Sequence, residues 1–167
     1  MLKIPMLKIP PETEVVVEGN RVSVKGKKGK LERKFNIKGA KIEKKNDEIV
    51  VSCDDLMLAN TIKAHIRNML KGASEGFTSN MKVVYSHFPI SFEAKGKAFM
   101  IKNFLGEKNP RVAEIIGDTK IEAKGQDVTV SGPSKEDVGQ TISNIKQATR
   151  ISKRDSRVFQ DGLYIVE

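Results

Sequence analysis

The sequence predicts an α+β protein built from two duplicated domains, each an antiparallel-rich sheet with a helix packed on one face. Three observations support this prediction. A twelve-residue string, KIEKKNDEIVVS from Lys41 to Ser52, returns as KIEAKGQDVTVS from Lys120 to Ser131, with six identical positions. Each copy alternates apolar residues around a central turn, which is typical of a hairpin with one buried face. A stretch with helical spacing follows each copy.

The first copy begins with a predicted hairpin, and the repeated string then forms a second one with its turn at residues 46–47. A helix is predicted from residues 54–55 to Lys71, with Gly72 as its stop. The leading hairpin pairs Val15 and Val17 with Val22 and Val24 around Gly19-Asn20. The apolar stripe of the helix consists of Leu58, Ile62, Ile66, Met69 and Leu70.

In the second copy the repeated string turns at Gly125-Gln126, and Ser134 is a suitable N-cap for the helix that follows. The stripe of this helix consists of Val138, Ile142, Ile145 and Thr149. Upstream of the two strings, KGK at 25–27 matches KGK at 95–97, and this alignment makes the second copy nine residues longer. Residues 109–117 start with Asn-Pro and end with Gly, which predicts a short extra helix there.

These elements divide the chain into three segments. Residues 1–10 form an N-terminal extension in which MLKIP occurs twice, and residues 1–5 are left outside the predicted fold. The first α+β domain covers residues 11–81 and the second covers residues 82–167. The boundary between them is expected near Asn80 to Lys82.

Composition indicates the class of partner. The 167 residues include 30 Lys and Arg against 21 Asp and Glu, so the net charge is +9, which favours a polyanion as partner. The sequence has no apolar run of the length that a membrane span needs. Acidic lipid is the rival polyanion, but no basic amphipathic helix supports it. Cys53 is the one cysteine, so an intramolecular disulfide is excluded, and a cytoplasmic protein is expected.

Catalytic and metal sites receive little support from the sequence. His65, His87 and Cys53 have neither ligand spacing nor a partner at recognisable spacing, and Asp54 and Asp55 disfavour a thiolate at Cys53. The string GKKGK at 26–30 has two residues between its glycines where a phosphate-binding loop needs four. We therefore expect no enzyme, no metal or other cofactor and no small-molecule substrate. An enzyme that uses His87 or Cys53 is the main rival hypothesis.

Two basic clusters are more informative. The first consists of Lys25, Lys27, Lys28, Lys30, Arg33 and Lys34, and the second of Lys146, Arg150, Lys153, Arg154 and Arg157. Residues 1–81 carry +6 and residues 82–167 carry +3. The second half is still the predicted anchor, because residues 146–157 hold +4 where a helix ends, and arginine has a planar fork suited to phosphate. Most of the seven aromatic residues from position 82 onward are assigned to the core.

Several longer strings resemble one family. They are NMLKG at 68–72, GF at 76–77, VYSHFPI at 84–90, NFLGEK at 103–108 and DSRVFQDGLYIV at 155–166. Together they resemble the sixth large-subunit ribosomal protein family in its archaeal and eukaryotic form. The resemblance covers residues 6–167 and agrees with the duplicated α+β fold. It implies a structural constituent of the large ribosomal subunit that binds rRNA near the sarcin–ricin loop and the elongation-factor site.

The resemblance also implies partners and site residues. The partners are large-subunit rRNA and neighbouring large-subunit ribosomal proteins, with elongation factors nearby, and the location is the ribosome in the cytoplasm. A nucleic-acid-binding module outside the ribosome is the alternative. The implied rRNA-binding residues are Lys95, Lys97, Lys102, Asn103, Lys108, Arg111, Lys146, Arg150, Lys153, Arg154, Arg157, Gln160 and Gly162. Secondary RNA contacts are expected at Lys25, Lys27, Lys28 and Lys30.

Overall fold

The chain forms two units, each with its own sheets, helix and core. The computed structural model describes residues 2–3, 7–35, 41–45, 48–53, 55–86, 88–152, 154–155 and 157–166. The first unit extends to Gly76 and includes Pro133–Lys135, and the second consists of Phe77–Gly132 and the residues from Glu136 onward. The units divide earlier than the expected boundary near Asn80, because residues 77–84 form one continuous strand of the second unit.

The first unit contains two antiparallel sheets and one helix. Its strands are β1 (Leu2–Lys3), β2 (Leu7–Lys8), β3 (Glu14–Glu18), β4 (Arg21–Gly26), β5 (Gly29–Lys34), β6 (Lys41–Lys45) and β7 (Glu48–Cys53), and its helix is α1 (Leu56–Ser74). One sheet has the order β3-β4-β5, and in the other β7 lies between β6 and the two short strands β1 and β2. The predicted hairpin is confirmed, with Val15 opposite Val24 and Val17 opposite Val22.

The second unit repeats this plan. Its strands are β8 (Phe77–Val84), β9 (Ser91–Lys95), β10 (Ala98–Lys102), β11 (Arg111–Glu114), β12 (Lys120–Lys124), β13 (Asp127–Gly132) and β14 (Gly162–Val166), and its helix is α2 (Lys135–Ala148). The sheet orders are β11-β10-β9 and β12-β13-β8-β14. The predicted hairpin of the repeated string is confirmed, since Lys124 pairs with Asp127 around Gly125-Gln126.

The cores follow the predicted patterns except at Leu58, which is exposed while Ala59 beside it is buried. In the first unit, alternate residues of β4 and β7 pack against α1, where Ile62 and Ile66 are fully buried. In the second, Val128 and Val130 of β13 and Ile145 of α2 occupy the corresponding places. The hairpin turn at residues 46–47 lies outside the described residues, although Lys45 and Glu48 on either side of it are paired.

The N-terminal duplication is part of a sheet. Leu2 pairs with Cys53 and Leu7 pairs with Ile49, so one copy of the MLKIP string reaches each end of β7. The exclusion of residues 1–5 from the fold is therefore corrected for Leu2–Lys3. Leu2–Lys3 and Leu7–Lys8 therefore pair with parts of the edge of β7 that would otherwise present unpaired backbone groups.

Helix α1 begins as predicted and ends later. Asp55 is its N-cap, and the Asp55 carboxylate accepts an N–H of the first turn at 2.8 Å. The helix ends at Ser74, and Gly76, two residues beyond it, has a φ of +82° and donates its N–H to the Lys71 carbonyl. The predicted stop at Gly72 is wrong, because Gly72 and Ala73 are buried inside the last turn and this packing outweighs the low helix propensity of glycine.

The predicted extra helix at residues 109–117 is wrong, because this segment contains strand β11. Ala113 pairs with Phe99 of β10, and Ala113 and Ile115 are buried while Glu114 between them is exposed. The apolar period is therefore two and not 3.6. The flanking residues suit a strand as well as a helix. A proline before a strand lacks only a ladder donor, and a glycine after it tolerates positive φ.

Strand β11 also corrects the alignment of the two copies. Gly19 and Gly96 both have a φ of +59° and both join the first two strands of a three-stranded sheet. Gly96 is thus equivalent to Gly19 and not to Gly26. Lys41 follows Gly19 by 22 positions and Lys120 follows Gly96 by 24. The second copy is therefore longer by two residues over this stretch, and the predicted nine resulted from pairing different turns.

Candidate nucleic-acid interface

The second unit has an open cleft of about 720 Å³ beside the C-terminal end of α2. Its walls are the last turn of α2, residues from the segment 149–159 and the start of β14. Three of the predicted cations line it, namely Lys146, Arg150 and Arg154, and the predicted residue Gly162 lies in the same wall. The structure thus brings together residues that are up to 16 positions apart in the chain.

The three cations lie on different parts of the cleft wall. Lys146 lies in the last turn of α2, and Arg150 lies two residues beyond the end of the helix. The Thr149 hydroxyl donates to the carbonyl four residues earlier at 3.0 Å, and the Thr149 N–H donates to the same oxygen. The Arg154 guanidinium lies 4.7 Å from the centroid of the Phe159 ring, where a cation–π contact orients it. The positive charges therefore converge on one opening.

An aromatic side chain and a buried acid complete the cleft. Tyr164 is 47% exposed, and its hydroxyl donates to the Gln160 carbonyl at 3.0 Å. A Cβ on Gly162 would lie 3.5 Å from the Tyr164 ring, an ordinary contact distance, so the ring lies beside the start of β14. Of the described residues that line the cleft, Asp161 carries the one negative charge. Its carboxylate is buried and accepts the Ser86 N–H at 3.2 Å.

Arg157 belongs to the same basic cluster but does not line the cleft. Its guanidinium forms two hydrogen bonds to the Asp155 carboxylate, at 3.1 and 3.0 Å. These bonds, with one from the Arg157 N–H, lower the pKa of Asp155, and the side-chain bonds raise the pKa of Arg157. The Gln160 amide donates to the Arg157 carbonyl at 3.4 Å. Lys153 lies outside the described residues.

Lys95 and Lys102 share one carboxylate. Lys95 Nζ lies 2.9 Å from Glu93 Oε1, and Lys102 Nζ bonds the other oxygen of Glu93. Hydrogen bonds from Lys102 and then Lys95 lower the pKa of Glu93 to about 2. Glu93 thus links a lysine beside the β9–β10 turn to one at the open end of the same ladder, apart from the residues that line the cleft.

Further predicted residues lie in the β9–β10 turn and in the loop after β10. Lys97 and Lys108 are exposed, Lys97 in the β9–β10 turn and Lys108 just before β11. Asn103 has a φ of +60°, a left-handed conformation that asparagine tolerates better than most residues, and its amide donates to the Pro89 carbonyl at 3.0 Å. Leu105 follows in the same left-handed region.

Arg111 differs from the other predicted cations because its guanidinium is largely occupied by protein partners. It forms two hydrogen bonds with the Glu107 carboxylate, at 2.8 and 2.6 Å. Its plane lies 4.4 Å from the centroid of the buried Phe104 ring. The hydrogen bonds raise the pKa of Arg111 and lower the pKa of Glu107.

The predicted secondary contacts in the first unit lie among acids. Lys27 Nζ lies 2.6 Å from the Glu12 carboxylate, and Lys28 holds its place through its backbone N–H. Lys25 and Lys30 lie on the exposed face of the β3-β4-β5 sheet together with Glu14, Glu18, Glu32 and Arg21. The string at 26–30 forms a tight two-residue turn between Gly26 and Gly29, as its spacing indicates.

Of the candidate catalytic residues, the structure describes Cys53 and His65, and both lie in elements of the first unit. Cys53 is buried at the end of β7. His65 lies on α1 with its ring 6.3 Å from that of Phe35, and His87 lies outside the described residues. Within the described ranges, the His, Cys, Asp and Glu side chains form no group of three that could hold a metal ion. No helix among those ranges is long and apolar enough to span a membrane.

Comparison with known proteins gives one consistent answer. The sequence pattern of the family described as ribosomal protein L6 matches residues 9–76 and 88–162. The chain belongs to the ribosomal protein L6 family. Its relatives include proteins named large ribosomal subunit protein uL6 from Methanosarcina mazei, 43% identical over 96% of this chain and 94% of theirs, and from Methanosphaera stadtmanae, 45% identical over 97% and 91%. The archaeal-type resemblance is thereby confirmed.

The L6 family match includes most of the cleft. Its second segment ends at Gly162 and so contains Lys146, Arg150 and Arg154 but not Tyr164. Sequence reasoning named the cations but assigned most aromatic residues to the core. That assignment is right for Phe99 and Phe104, whereas Tyr164 is half exposed in the cleft wall. The signal was its position in β14, where residues on the outer face of an edge strand stay accessible.

Proposed function

We propose that this protein is a structural constituent of the large ribosomal subunit and that the cleft of its second unit binds rRNA phosphates. The observation that carries the proposal is the convergence of Lys146, Arg150 and Arg154 on one opening whose acid, Asp161, is already hydrogen-bonded. An A-form RNA helix presents phosphates and a shallow minor groove, so contacts to backbone and shape suit a rigid cationic cleft. The second unit is then the principal anchor, although residues 1–81 carry more net charge.

The finer placement follows the family resemblance. We place the bound rRNA near the sarcin–ricin loop and the elongation-factor site, with neighbouring large-subunit proteins as further partners and elongation factors nearby. Lys95, Lys97, Lys102, Asn103 and Lys108 form a second, peripheral contact region, and Arg157 and Gln160 extend the first. The role is structural and not catalytic, and its location is the ribosome in the cytoplasm.

The first test compares two matched triple variants of the full chain. The cleft variant combines Lys146→Ala, Arg150→Ala and Arg154→Ala, and the control combines Lys25→Ala, Lys28→Ala and Lys30→Ala, so both lose three positive charges. Binding to an rRNA transcript that contains the sarcin–ricin loop is measured against salt concentration. Each duplex phosphate contact that is lost reduces the log–log slope by about 0.9, so we expect a drop of about 2 to 3 for the cleft variant. The control should change it by less than about 1.

Two outcomes would contradict the proposal. If the control variant weakens binding as much as the cleft variant, the second unit is not the anchor. If the affinity of the wild type does not depend on salt, phosphate contact is not its basis. The ribosomal role is tested separately by sedimentation in high salt, in which a constituent of the subunit migrates with it and a module that acts outside the ribosome stays at the top of the gradient.

A further inference from the structure

Arg111 joins three elements of the second unit. One of its terminal nitrogens donates to two backbone carbonyls at the end of α2, at 2.9 Å to Ala148 and 3.0 Å to Arg150. Its other nitrogens donate to Glu107, and its plane covers Phe104. The carbonyl of Ala148 is one of the helix-terminal acceptors that lack an intrahelical partner, so Arg111 satisfies a group that the helix itself leaves open.

This arrangement leaves Arg111 poorly suited to hold a phosphate. A guanidinium has five N–H donors, and four hydrogen bonds to protein acceptors already use one from Nε, two from one terminal nitrogen and one from the other. A two-pronged contact with a phosphate needs two parallel donors, and these are occupied by Glu107. One face of the guanidinium plane is covered by the Phe104 ring.

Strand β11 and the residues just after it also form hydrogen bonds with successive turns of α2. The Asn144 amide donates to the Glu114 carbonyl at 3.0 Å, and the Ile116 N–H donates to the Thr141 hydroxyl at 3.1 Å. Arg111 makes the last of these ties, beyond the final turn, where the backbone leaves the helix. It therefore fixes the part of the backbone from which the Arg150 side chain enters the cleft.

The partners of Arg111 come from a loop with an unusual backbone. Phe104 and Glu107 lie on either side of Leu105 and Gly106, both of which have a positive φ. Left-handed conformations at residues other than glycine are costly and persist where the surroundings enforce them. Here the two left-handed residues bring Phe104 and Glu107 to the same guanidinium. The Phe104 ring lies against its plane, and the Glu107 carboxylate bonds its edge.

We propose that Arg111 is a positioning residue for RNA binding, which fixes the Ala148 and Arg150 carbonyls so that the Arg150 side chain is aimed into the cleft, and that it is not itself a phosphate ligand. This inference rests on the proposed function, because it assigns a cause to the geometry of the same cleft. It replaces the expectation that Arg111 contacts rRNA directly. It also assigns a function to the NFLGEK string at 103–108, because Phe104 and Glu107 of this string hold the Arg111 side chain in place.

The decisive experiment is a double-mutant cycle on the full chain with the same rRNA transcript. Arg111→Lys keeps the positive charge but cannot reach two carbonyls and a carboxylate together. We expect it to weaken binding by roughly three- to tenfold, as for the loss of one ordinary hydrogen bond. In an Arg150→Ala background the same change should cost less than about twofold, because coupled residues are not additive. Equal effects in both backgrounds, or full binding by Arg111→Lys, would overturn the proposal.

A second variant separates positioning from simple electrostatics. Glu107→Gln removes a negative charge whose field reaches Arg154, so electrostatics alone predicts tighter RNA binding. Positioning predicts weaker binding, by roughly threefold, because Arg111 loses a two-pronged partner. Glu122→Gln, which removes an exposed acid of β12 in the same unit, is the matched control and should bind as well as or better than the wild type. Unchanged or tighter binding by Glu107→Gln overturns the proposal.

The outcomes also separate this inference from the function on which it rests. If the wild type does not bind the transcript, both fall together. If the wild type binds and the effects of Arg111→Lys and Arg150→Ala are additive, the cleft binds RNA but Arg111 does not position it. Unfolding curves of each variant show whether the chain remains folded, and the Glu107→Gln result decides the question if Arg111→Lys is unfolded.

Discussion

The two helices end in different surroundings although the two units repeat one topology. At the end of α1 the Lys28 N–H donates directly to the Ala73 carbonyl at 3.0 Å, and a Cβ on Gly26 would lie 2.4 Å from that oxygen. At the end of α2 the Ala148 carbonyl instead accepts a hydrogen bond from the Arg111 side chain. Backbone covers the first helix end, whereas a long side chain reaches the second.

The two helix ends also differ in how accessible they are. The β4–β5 turn occupies the end of α1, and the buried residues Gly72 and Ala73 pack there without space for a ligand. The end of α2 continues into Thr149 and Arg150, which line an open cleft. The first helix end therefore contributes to stability, and the second is available for binding.

The largest expected effect is on the stability of the first unit, at the end of α1 that backbone covers. Gly26→Ala places a Cβ against the backbone of Ala73, which cannot move aside as a flexible side chain does. We expect the free energy of unfolding to fall by about 2–3 kcal/mol, at the upper end of the range for overpacking. Urea unfolding followed by circular dichroism measures the change.

The second unit provides a matched control for the same substitution. Gly139 lies in α2 with no neighbouring heavy atom within 4 Å of an added Cβ. Gly139→Ala should raise the stability by about 0.5–1 kcal/mol, because alanine has the higher helix propensity. If Gly26→Ala is as harmless as Gly139→Ala, the close approach at the end of α1 does not distinguish the units.

A smaller effect is expected from the hydroxyl groups at the two helix ends. Thr149 is buried and Ser74 is half buried, and each hydroxyl donates to a carbonyl four residues earlier at 3.0 Å. Thr149→Val should cost about 1 kcal/mol, the usual contribution of one hydrogen bond. Ser74→Ala should stay within about 0.5 kcal/mol of the wild type, because alanine's helix propensity offsets the lost bond. The same unfolding measurements rank them, and the opposite order would contradict the assignment.

The smallest effect concerns the charged rim of the second unit. The pKa of Glu93 is about 2, below its usual value of 4.5, because Lys102 and Lys95 bond the ionised form. The stabilisation is therefore fully present above pH 4.5 and is lost as the pH falls toward 2. A carboxyl NMR titration of Glu93 should show a midpoint near 2, and Glu93→Gln should lack this part of the acid dependence. A midpoint near 4.5 would show that the two lysines are not held by Glu93.

Strong local patterns predicted most of the elements. Alternating valines around Gly19-Asn20 fixed a hairpin and its register, and the spacing of Ile62 and Ile66 fixed the buried face of α1. The failures occurred where two principles compete. Proline and glycine at 109–117 suit the ends of a helix and of a strand, and only the free edge of β10 favours the strand. Glycine commonly ends a helix, but at Gly72 tertiary packing extends α1 beyond it.

The candidate site was partly visible in the sequence. The cluster from Lys146 to Arg154 could be found because charge repeats at short spacing where a helix pattern ends. The hydrogen bonds of Arg111 to the end of α2 could not, because the arginine and its carbonyl acceptors are 37 and 39 positions apart in the chain. A sequence shows that an arginine is present but not whether its donors point to solvent or to backbone carbonyls.

The sequence by itself determined the duplicated α+β plan, the positive charge and the family, because periodicity, composition and long strings are local properties. The tertiary structure alone decided which helix end is covered by backbone and which opens into a cleft. That choice depends on which residue approaches the end of each helix. Gly26 lies 47 positions from Ala73 in the chain, and Arg111 lies 37 positions from Ala148. Contacts at that separation are set by the packing of whole elements and leave no periodic signal along the chain.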